Sequence, residues 1–330
     1  MREWLIEHLI CPTCPGEVGL SLSVTAREGD DILEGELACP ACDARFPVRG
    51  GVPRFTPAGA DYCGNFGFQW NKWRALQIDR LSGHQLSAGR FFGDSGWDPA
   101  WLEGKLILDA GCGAGRFSDV AASAGARVIA CDLSSAVNAC RETTAAWDGR
   151  VQPIQASIFD LPLRRGIFDG VFCMGVIQHT PDPKRLMSGL PAFLKPGGRL
   201  AYNFYEADFW PWLQGIKYAL RLVTPHLPTG ATLALSRALV RVFFPLTAAF
   251  ARLPVFRTLN VMIPICPVHD SVLTPEQRYA WTVLDTFDWY SPRYEKRQKH
   301  KEVIRLLTDA GMTEVTGRAG AVIARAPTRG

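Results

Sequence analysis

A chain of 330 residues, 47% apolar and 21% charged, has material for one large core and a small accessory module in ordinary globular proportions. Its net charge of +4 is too small at this length to mark a binder of phosphate backbones, and basic residues cluster only at 293–301, where a helix would present them as a solvated face. Arg2, Glu3, Glu7 and His8 interrupt the apolar N-terminus, which argues against a secretory leader, and the most apolar uncharged run of the second half, 242–251, is about half of the ~20 residues a spanning helix needs and contains Pro245.

From these properties the chain is expected to be cytoplasmic, with its cysteines reduced. Four of them stand in two CPxC turns, Cys11-Pro-Thr-Cys14 and Cys39-Pro-Ala-Cys42, within a first module spanning 1–57. Paired CxxC turns bring four thiolates to one tetrahedral, closed site, which suits a structural Zn²⁺; iron in a rubredoxin-like site is the alternative. The other six, Cys63, Cys112, Cys131, Cys140, Cys173 and Cys266, read as small buried hydrophobes.

Residues 58–103 are rich in aromatics, among them Phe66, Trp70, Trp73, Phe91 and Trp97, and read as helices leading into the main domain and covering its ligand site. Over 104–205 short β-rich runs alternate with helical patterns, the signature of βαβ units on a parallel sheet. Strands are predicted at 105–110, 126–132, 151–156, 168–174 and 199–205, with helices at 115–124, 134–147 and 183–194 and a turn at 194–198. The pattern resumes at 299–330 with a helix over 299–311 and strands at 313–318 and 321–326. Between these halves, 206–298 is an insertion of apolar helices, predicted at 213–223 and 233–253 after the motif Phe209-Trp-Pro-Trp212.

The sharpest signal in the core is Leu106-Ile-Leu-Asp-Ala-Gly-Cys-Gly-Ala-Gly-Arg-Phe117, a buried strand running into Gly111, Gly113 and Gly115 and then a helix. Such glycines let the backbone approach a ligand, and alone they fit dinucleotides equally well. Arg116 occupies the place where a dinucleotide loop has its third glycine. Asp109 would repel a pyrophosphate but suits the cationic amino group of a methionine moiety. Asp132, at the end of the second strand, can accept both ribose hydroxyls, with Leu133 beside it.

Together with Leu106–Phe117, the blocks VIACDLS (128–134), IFDLPLRRGIFDGVFCMGVIQHTPDP (158–183) and LKPGGRL (194–200) resemble the class I S-adenosylmethionine-dependent methyltransferases, in particular the type 11-like enzymes. The resemblance implies a Rossmann-like, seven-stranded, mainly parallel α/β sheet with a closing hairpin, here joined to a zinc ribbon and a helical lid. It implies S-adenosylmethionine as cofactor, held by Asp109, Gly111, Gly113, Gly115, Asp132, Leu133, Ser157, Ile158 and Met174. Ser157 stands where the family commonly has an Asp for the adenine amino group. His179, just past the fourth strand, is the candidate general base. The cysteine module resembles the zinc ribbons of the methyltransferase-activator family, which stand alone as partners of a catalytic subunit or are fused to one.

The insertion is the expected acceptor-determining part. Lys217, Arg221, Arg237, Arg241 and Arg252 recur along it on what reads as one side, either as a lid or as a surface for peripheral membrane contact. His269, Asp285, Asp288, Tyr290 and Tyr294 are the candidate acceptor-pocket residues. The leading expectation is a methyltransferase acting on a small-molecule, glycan or lipid-linked acceptor, with no nucleic-acid partner and no transmembrane segment. A four-cysteine RNA base methyltransferase and a non-catalytic scaffold or activator are the alternatives, separated from it by a basic cleft and by failure to bind cofactor respectively.

Overall fold

The β-rich runs after residue 104 assemble into a seven-stranded sheet in a computed structural model that describes residues 1–56, 64–207, 211–252 and 258–328. Strands β1 (Ser21–Glu28), β2 (Asp31–Ala38), β3 (Arg45–Arg49) and β4 (Val52–Pro53) form a separate antiparallel sheet in the N-terminal module. The large sheet contains β5 (Leu106–Ala110), β6 (Arg127–Asp132), β7 (Val151–Gln155), β8 (Phe168–Met174), β9 (Leu194–Asn203), β10 (Thr313–Arg318) and β11 (Ala321–Arg325). Its order is β10-β11-β9-β8-β5-β6-β7, parallel from β9 through β7, with β11 antiparallel to both β9 and β10.

The predicted turn at 194–198 is instead the start of β9. Its register against β8 jumps from Phe168 opposite Leu194 to Gly170 opposite Arg199, so the Lys195-Pro-Gly-Gly198 run is accommodated inside the strand as an irregularity. The helix predicted over 183–194 stops at Gly189 and continues as a 3-10 turn, Leu190–Phe193, because Pro191 has no N–H to donate.

Helices on both faces bury most of β5, β6 and β8, which is why these strands read as largely apolar runs rather than alternating ones. One face packs Ile107, Val128 and Phe172 against Phe91, Trp97 and Phe117. The other face joins Leu108, Ile129, Ile154 and Val171 to Leu186, Val303 and Leu307, and the same cluster takes in Met1, Leu5, Leu9, Leu37 and Val48 from the cysteine module. That module therefore shares the core of the main domain. It also caps the end of β7, where Phe55 N donates to Gln155 O at 2.8 Å, and holds the loop after it, where Ile10 N donates to Pro162 O and Arg164 N to His8 O, both at 3.0 Å.

In the insertion, Thr274 and Gln277 form a reciprocal capping box that starts helix Pro275–Tyr290. This helix packs on the long helix Thr229–Ala251, which matches the helix predicted over 233–253, begins four residues earlier and continues through Pro245. The long helix is 23 residues and apolar enough to cross a membrane by length and composition alone. Its buried residues, Leu233, Ser236, Val240 and Thr247, nevertheless recur on one face against the protein. The expected single basic side is not formed. Lys217 is buried beside the Trp289 ring and Arg221 pairs with Glu295 at 3.1 Å, whereas Arg237, Arg241 and Arg252 are exposed. Cys63, Phe209 and Trp210 lie outside the described residues.

Candidate active site

Strand order reverses between β5, which pairs with β6 on one side, and β8, which pairs with it on the other; a crevice opens there at the carboxyl ends of parallel strands. A cavity of about 600 Å³ occupies that place. The glycine loop after β5 forms one wall. Gly113 adopts φ +51, and a Cβ there would lie 3.0 Å from the Trp70 indole nitrogen, so the backbone borders the cavity only because no side chain intervenes. Gly111 also borders it, whereas Gly115 packs against Cys140 behind the loop.

Asp132 ends β6 at the cavity wall. Its Oδ2 accepts from Gly113 N at 2.9 Å and its Oδ1 from Ser134 N and Oγ at 2.8 and 2.7 Å, which fixes the carboxylate toward the loop. Leu133, Ile158 and Met174 line the same end. Ser157 does not line it; its Oγ accepts from Phe159 N at 3.2 Å. Asp109 is likewise absent from the wall. It is 2% exposed beneath the loop, where Ser118 Oγ donates to it at 2.6 Å.

Burial pushes the Asp109 carboxyl up to about 7. A carboxyl whose folded pKa lies above its unfolded value of 3.8 binds its proton more tightly when folded, so its contribution falls as pH rises from about 4 to 7. Asp109→Asn is therefore expected to raise the melting temperature of the ligand-free protein by more at pH 8 than at pH 5, by at least about 2 °C. Scanning fluorimetry at both values reads this, and an equal change at both would assign the effect to packing.

The far end of the cavity is built by the aromatic lead-in, by the residues after β8 and β9, and by helix Pro275–Tyr290. His179 follows β8. Its Nδ1 lies 3.1 Å from the Tyr294 carbonyl oxygen, which can only accept, so Nδ1 carries the hydrogen and Nε2 the lone pair. Nε2 is buried with no hydrogen-bond partner among the described residues. Burial lowers the imidazole's pKa below its ordinary range, with the Asp288 charge opposing, so the ring is neutral at pH 7. It sits between the rings of Phe66 and Tyr205, at 5.2 and 5.5 Å.

Asp288 accepts from Gln69 Nε2 at 3.0 Å and from Tyr205 OH at 3.3 Å, and Asp285 borders the cavity one turn earlier on the same helix. Burial and the Asp288 charge push the Asp285 carboxyl up to about 7. Arg116 opens the helix after the glycine loop and donates to Ser87 Oγ at 2.8 Å and Gln77 Oε1 at 3.2 Å, both neutral. Cys266 also borders the cavity, and burial pushes its thiol up to about 12, which keeps it protonated.

Three of the five residues expected in an acceptor pocket are elsewhere. Tyr290 points away from the cavity and donates to Pro264 O at 3.0 Å; His269 packs on Phe244 at 5.3 Å; Tyr294 contributes its carbonyl to His179 and no cavity surface. The helical period explains it, since Asp285 and Asp288 share one face of their helix and Tyr290 lies on another. The sequence placed Trp70 in the lead-in covering the site but missed Gln69, Arg116, Tyr205 and Trp289. Two had signals: Arg116 directly follows the third glycine, and Tyr205 lies just past a strand end.

In the N-terminal module, the Sγ atoms of Cys11, Cys14, Cys39 and Cys42 all lie within 4.8 Å of one another, with Cys11–Cys42 at 3.8 Å and Cys14–Cys39 at 3.6 Å. A tetrahedron of Zn–S bonds of about 2.3 Å needs S–S edges of about 3.8 Å, so this donor set fits zinc with no position left open.

Residues 108–202 match the family model described as a methyltransferase domain, and residues 3–51 match that of a Trm112p-like protein. Two segments of the chain are thus similar to a methyltransferase domain and, ahead of it, to a Trm112p-like ribbon. The ubiquinone biosynthesis O-methyltransferase of Xanthomonas campestris pv. campestris is 36% identical over 137 residues, 39% of this chain and 54% of that protein. Its Xylella fastidiosa counterpart is 35% identical over 137 residues, 39% of this chain and 53% of that protein. The chain thus matches about half the length of these curated relatives. Magnesium protoporphyrin IX methyltransferase from Synechocystis PCC 6803 is a more distant likeness, 18% identical with a TM-score of 0.43, covering 81% of this chain and 97% of that one.

Within the methyltransferase domain's matched span lie the glycine loop, Asp132 and His179. Gln69, Tyr205, Asp285 and Asp288 lie outside it, so the far end of the cavity is built by segments beyond that match.

Proposed function

We propose that this protein transfers the methyl group of S-adenosylmethionine to a hydroxyl of a small or lipid-linked, largely apolar acceptor. The observation that carries the reading is a single cavity with the glycine loop and Asp132 at one end and the unpartnered, neutral His179 Nε2 at the other. The residues present fit the cofactor. Asp132 suits its ribose diol, Leu133 and Ile158 its adenine, and Gly111 and Gly113 a close backbone approach. When bound, S-adenosylmethionine supplies an electrophilic methyl group whose sulfur leaves as a neutral thioether.

The chain's own contribution is alignment and one proton transfer. Phe66, Tyr205 and Trp289 wall the acceptor end, and His179 Nε2 takes the acceptor's proton as oxygen attacks. The imidazolium formed is held by its Nδ1–H bond to Tyr294 O and by the Asp288 charge. Oxygen as the nucleophile is supported by the O-methyltransferase names of the relatives. The four-cysteine site has the chemistry of structural Zn²⁺, remote from any reacting atom.

Calorimetric titration with S-adenosylhomocysteine tests the reading. Micromolar binding is expected, weakened at least about tenfold by Asp132→Ala, which removes two charge-assisted hydrogen bonds. A folded, metal-loaded protein that binds neither S-adenosylhomocysteine nor S-adenosylmethionine would leave only the scaffold reading.

An apolar acceptor is supported by the insertion's outer face. No Asp or Glu occurs between Asp208 and Asp270, and Ile216, Leu222, Val223, Val242, Leu246 and Met262 are exposed there with Arg237, Arg241 and Arg252. Helix Thr229–Ala251 is buried over only 22% of its most apolar window. An apolar face interleaved with arginines suits the surface of an anionic bilayer. The protein should co-float with vesicles containing phosphatidylglycerol, lose this with Val242→Asp plus Leu246→Asp, and remain unbound to phosphatidylcholine alone.

A further inference from the structure

Among the described residues, seven charged side chains border the cavity, and five already have partners of their own. Asp132 is held by Gly113 and Ser134, and Asp288 by Gln69 and Tyr205. Glu206 is held by His300 and Gly320 N, Arg297 by Glu295, and Arg90 by Asn203 and Asp94. Arg116 and Asp285 are different. Arg116 bonds only neutral oxygens, and toward Asp285 the neutral Trp281 indole is the one hydrogen-bonding side chain.

Their placement follows from the glycine loop and from one helix. Arg116 begins the helix that follows Gly115, and its guanidinium stacks between Phe117 at 5.1 Å and Trp281 at 5.4 Å. Trp281 and Asp285 are one turn apart on helix Pro275–Tyr290, on the face that reaches the cavity. The guanidinium and the carboxyl therefore both border the cavity near the glycine loop, without forming an ion pair with each other. A ligand that satisfies both must carry a carboxylate and an ammonium close together, which is the chemistry of an α-amino acid.

We infer that Arg116 and Asp285 clamp the amino-acid end of the cofactor, Arg116 taking its carboxylate and Asp285 its ammonium, so that the insertion is latched over the site by the cofactor itself. The inference rests on the proposed cofactor and goes beyond it. Asp285 belongs to the insertion, outside the matched methyltransferase domain. Asp109, the carboxylate of the glycine-loop strand, is bonded to Ser118 beneath the loop and is not available to the cavity. A cofactor bound at both ends of the clamp tethers helix Pro275–Tyr290 to the loop after β5. The acceptor chamber, whose Asp288 and Trp289 lie on that helix, is then held more firmly when the cofactor is in place.

The probes are S-adenosylhomocysteine and 5′-methylthioadenosine, which keeps the nucleoside and thioether but lacks the amino-acid end. Calorimetry on the full-length, metal-loaded protein should show S-adenosylhomocysteine binding at least about 100-fold tighter than 5′-methylthioadenosine. Asp285→Asn and Arg116→Gln should each weaken S-adenosylhomocysteine at least about tenfold and leave 5′-methylthioadenosine unchanged. Hydrogen exchange over 275–290 should slow with the first ligand and not with the second. Equal affinity of the wild type for both ligands overturns the clamp while leaving the cofactor reading intact. Equal weakening of both ligands in the variants assigns Arg116 and Asp285 to packing, which also overturns it. If neither ligand binds, the cofactor reading fails and the clamp falls with it.

Discussion

His179→Gln is expected to lower kcat by about 10²- to 10³-fold while the affinity for S-adenosylhomocysteine stays within about twofold. Glutamine is close to imidazole in length and keeps a hydrogen-bond acceptor, yet it cannot take a proton. The loss should fall on kcat because His179 acts on the acceptor's proton and the nucleoside end of the cavity is formed by other residues. The pH profile gives a second readout. Burial holds the imidazole below its ordinary value of 6.5, so the acid limb of kcat should lie below that pH, and the variant should lack it. A variant with near-normal kcat would make His179 a packing residue between Phe66 and Tyr205 and would return the catalysis to alignment alone.

The larger effect on stability is expected from the metal. Removing Zn²⁺ with a chelator, or replacing Cys39 with serine, should lower the melting temperature by more than about 10 °C and reduce the metal content from one equivalent per chain. Four thiolates left facing one another repel and no longer close the ribbon. Because Leu5, Leu9, Leu37 and Val48 belong to the same apolar cluster as Ile129 and Ile154, the damage cannot stay within the ribbon. It should reach the end of β7 and the loop after it, where Phe55 and Ile10 are bonded to Gln155 and Pro162, and from there Ile158 at the nucleoside end. Affinity for S-adenosylhomocysteine should therefore fall together with the loss of metal. A metal-free protein that melts at the same temperature and binds equally well would show the ribbon to be an independent module.

These two sites differ in how they could be read from sequence. The cysteine cluster, the glycine loop, Asp132 at its strand end and most strand positions were legible, because each depends on contacts within a few residues or on a strand's own period. A CPxC turn fixes two thiolates by itself, and a buried strand followed by closely spaced glycines fixes a backbone path. Errors began where position along the chain stopped predicting position in space. Asp109 has the right sequence place for a ligand's amino group, but the strand it ends turns its side chain under the loop toward Ser118. Tyr290 and His269 have the chemistry of a pocket, but the helical period and the packing on Phe244 direct them elsewhere.

The far end of the cavity shows the limit most clearly. Gln69 and Asp288 are bonded at 3.0 Å although 219 positions separate them, and nothing local to either residue signals the other. By itself, the sequence determined the class of fold, the grouping of the four cysteines and the glycine-loop wall of the cavity, since those are set by local backbone geometry and hydrophobic period. Only the tertiary structure decided which charged groups face the cavity without a partner, that His179 presents a bare Nε2, and that the ribbon and the main domain share one core. Each of those depends on which surfaces are buried against one another, a property of packing across the whole chain.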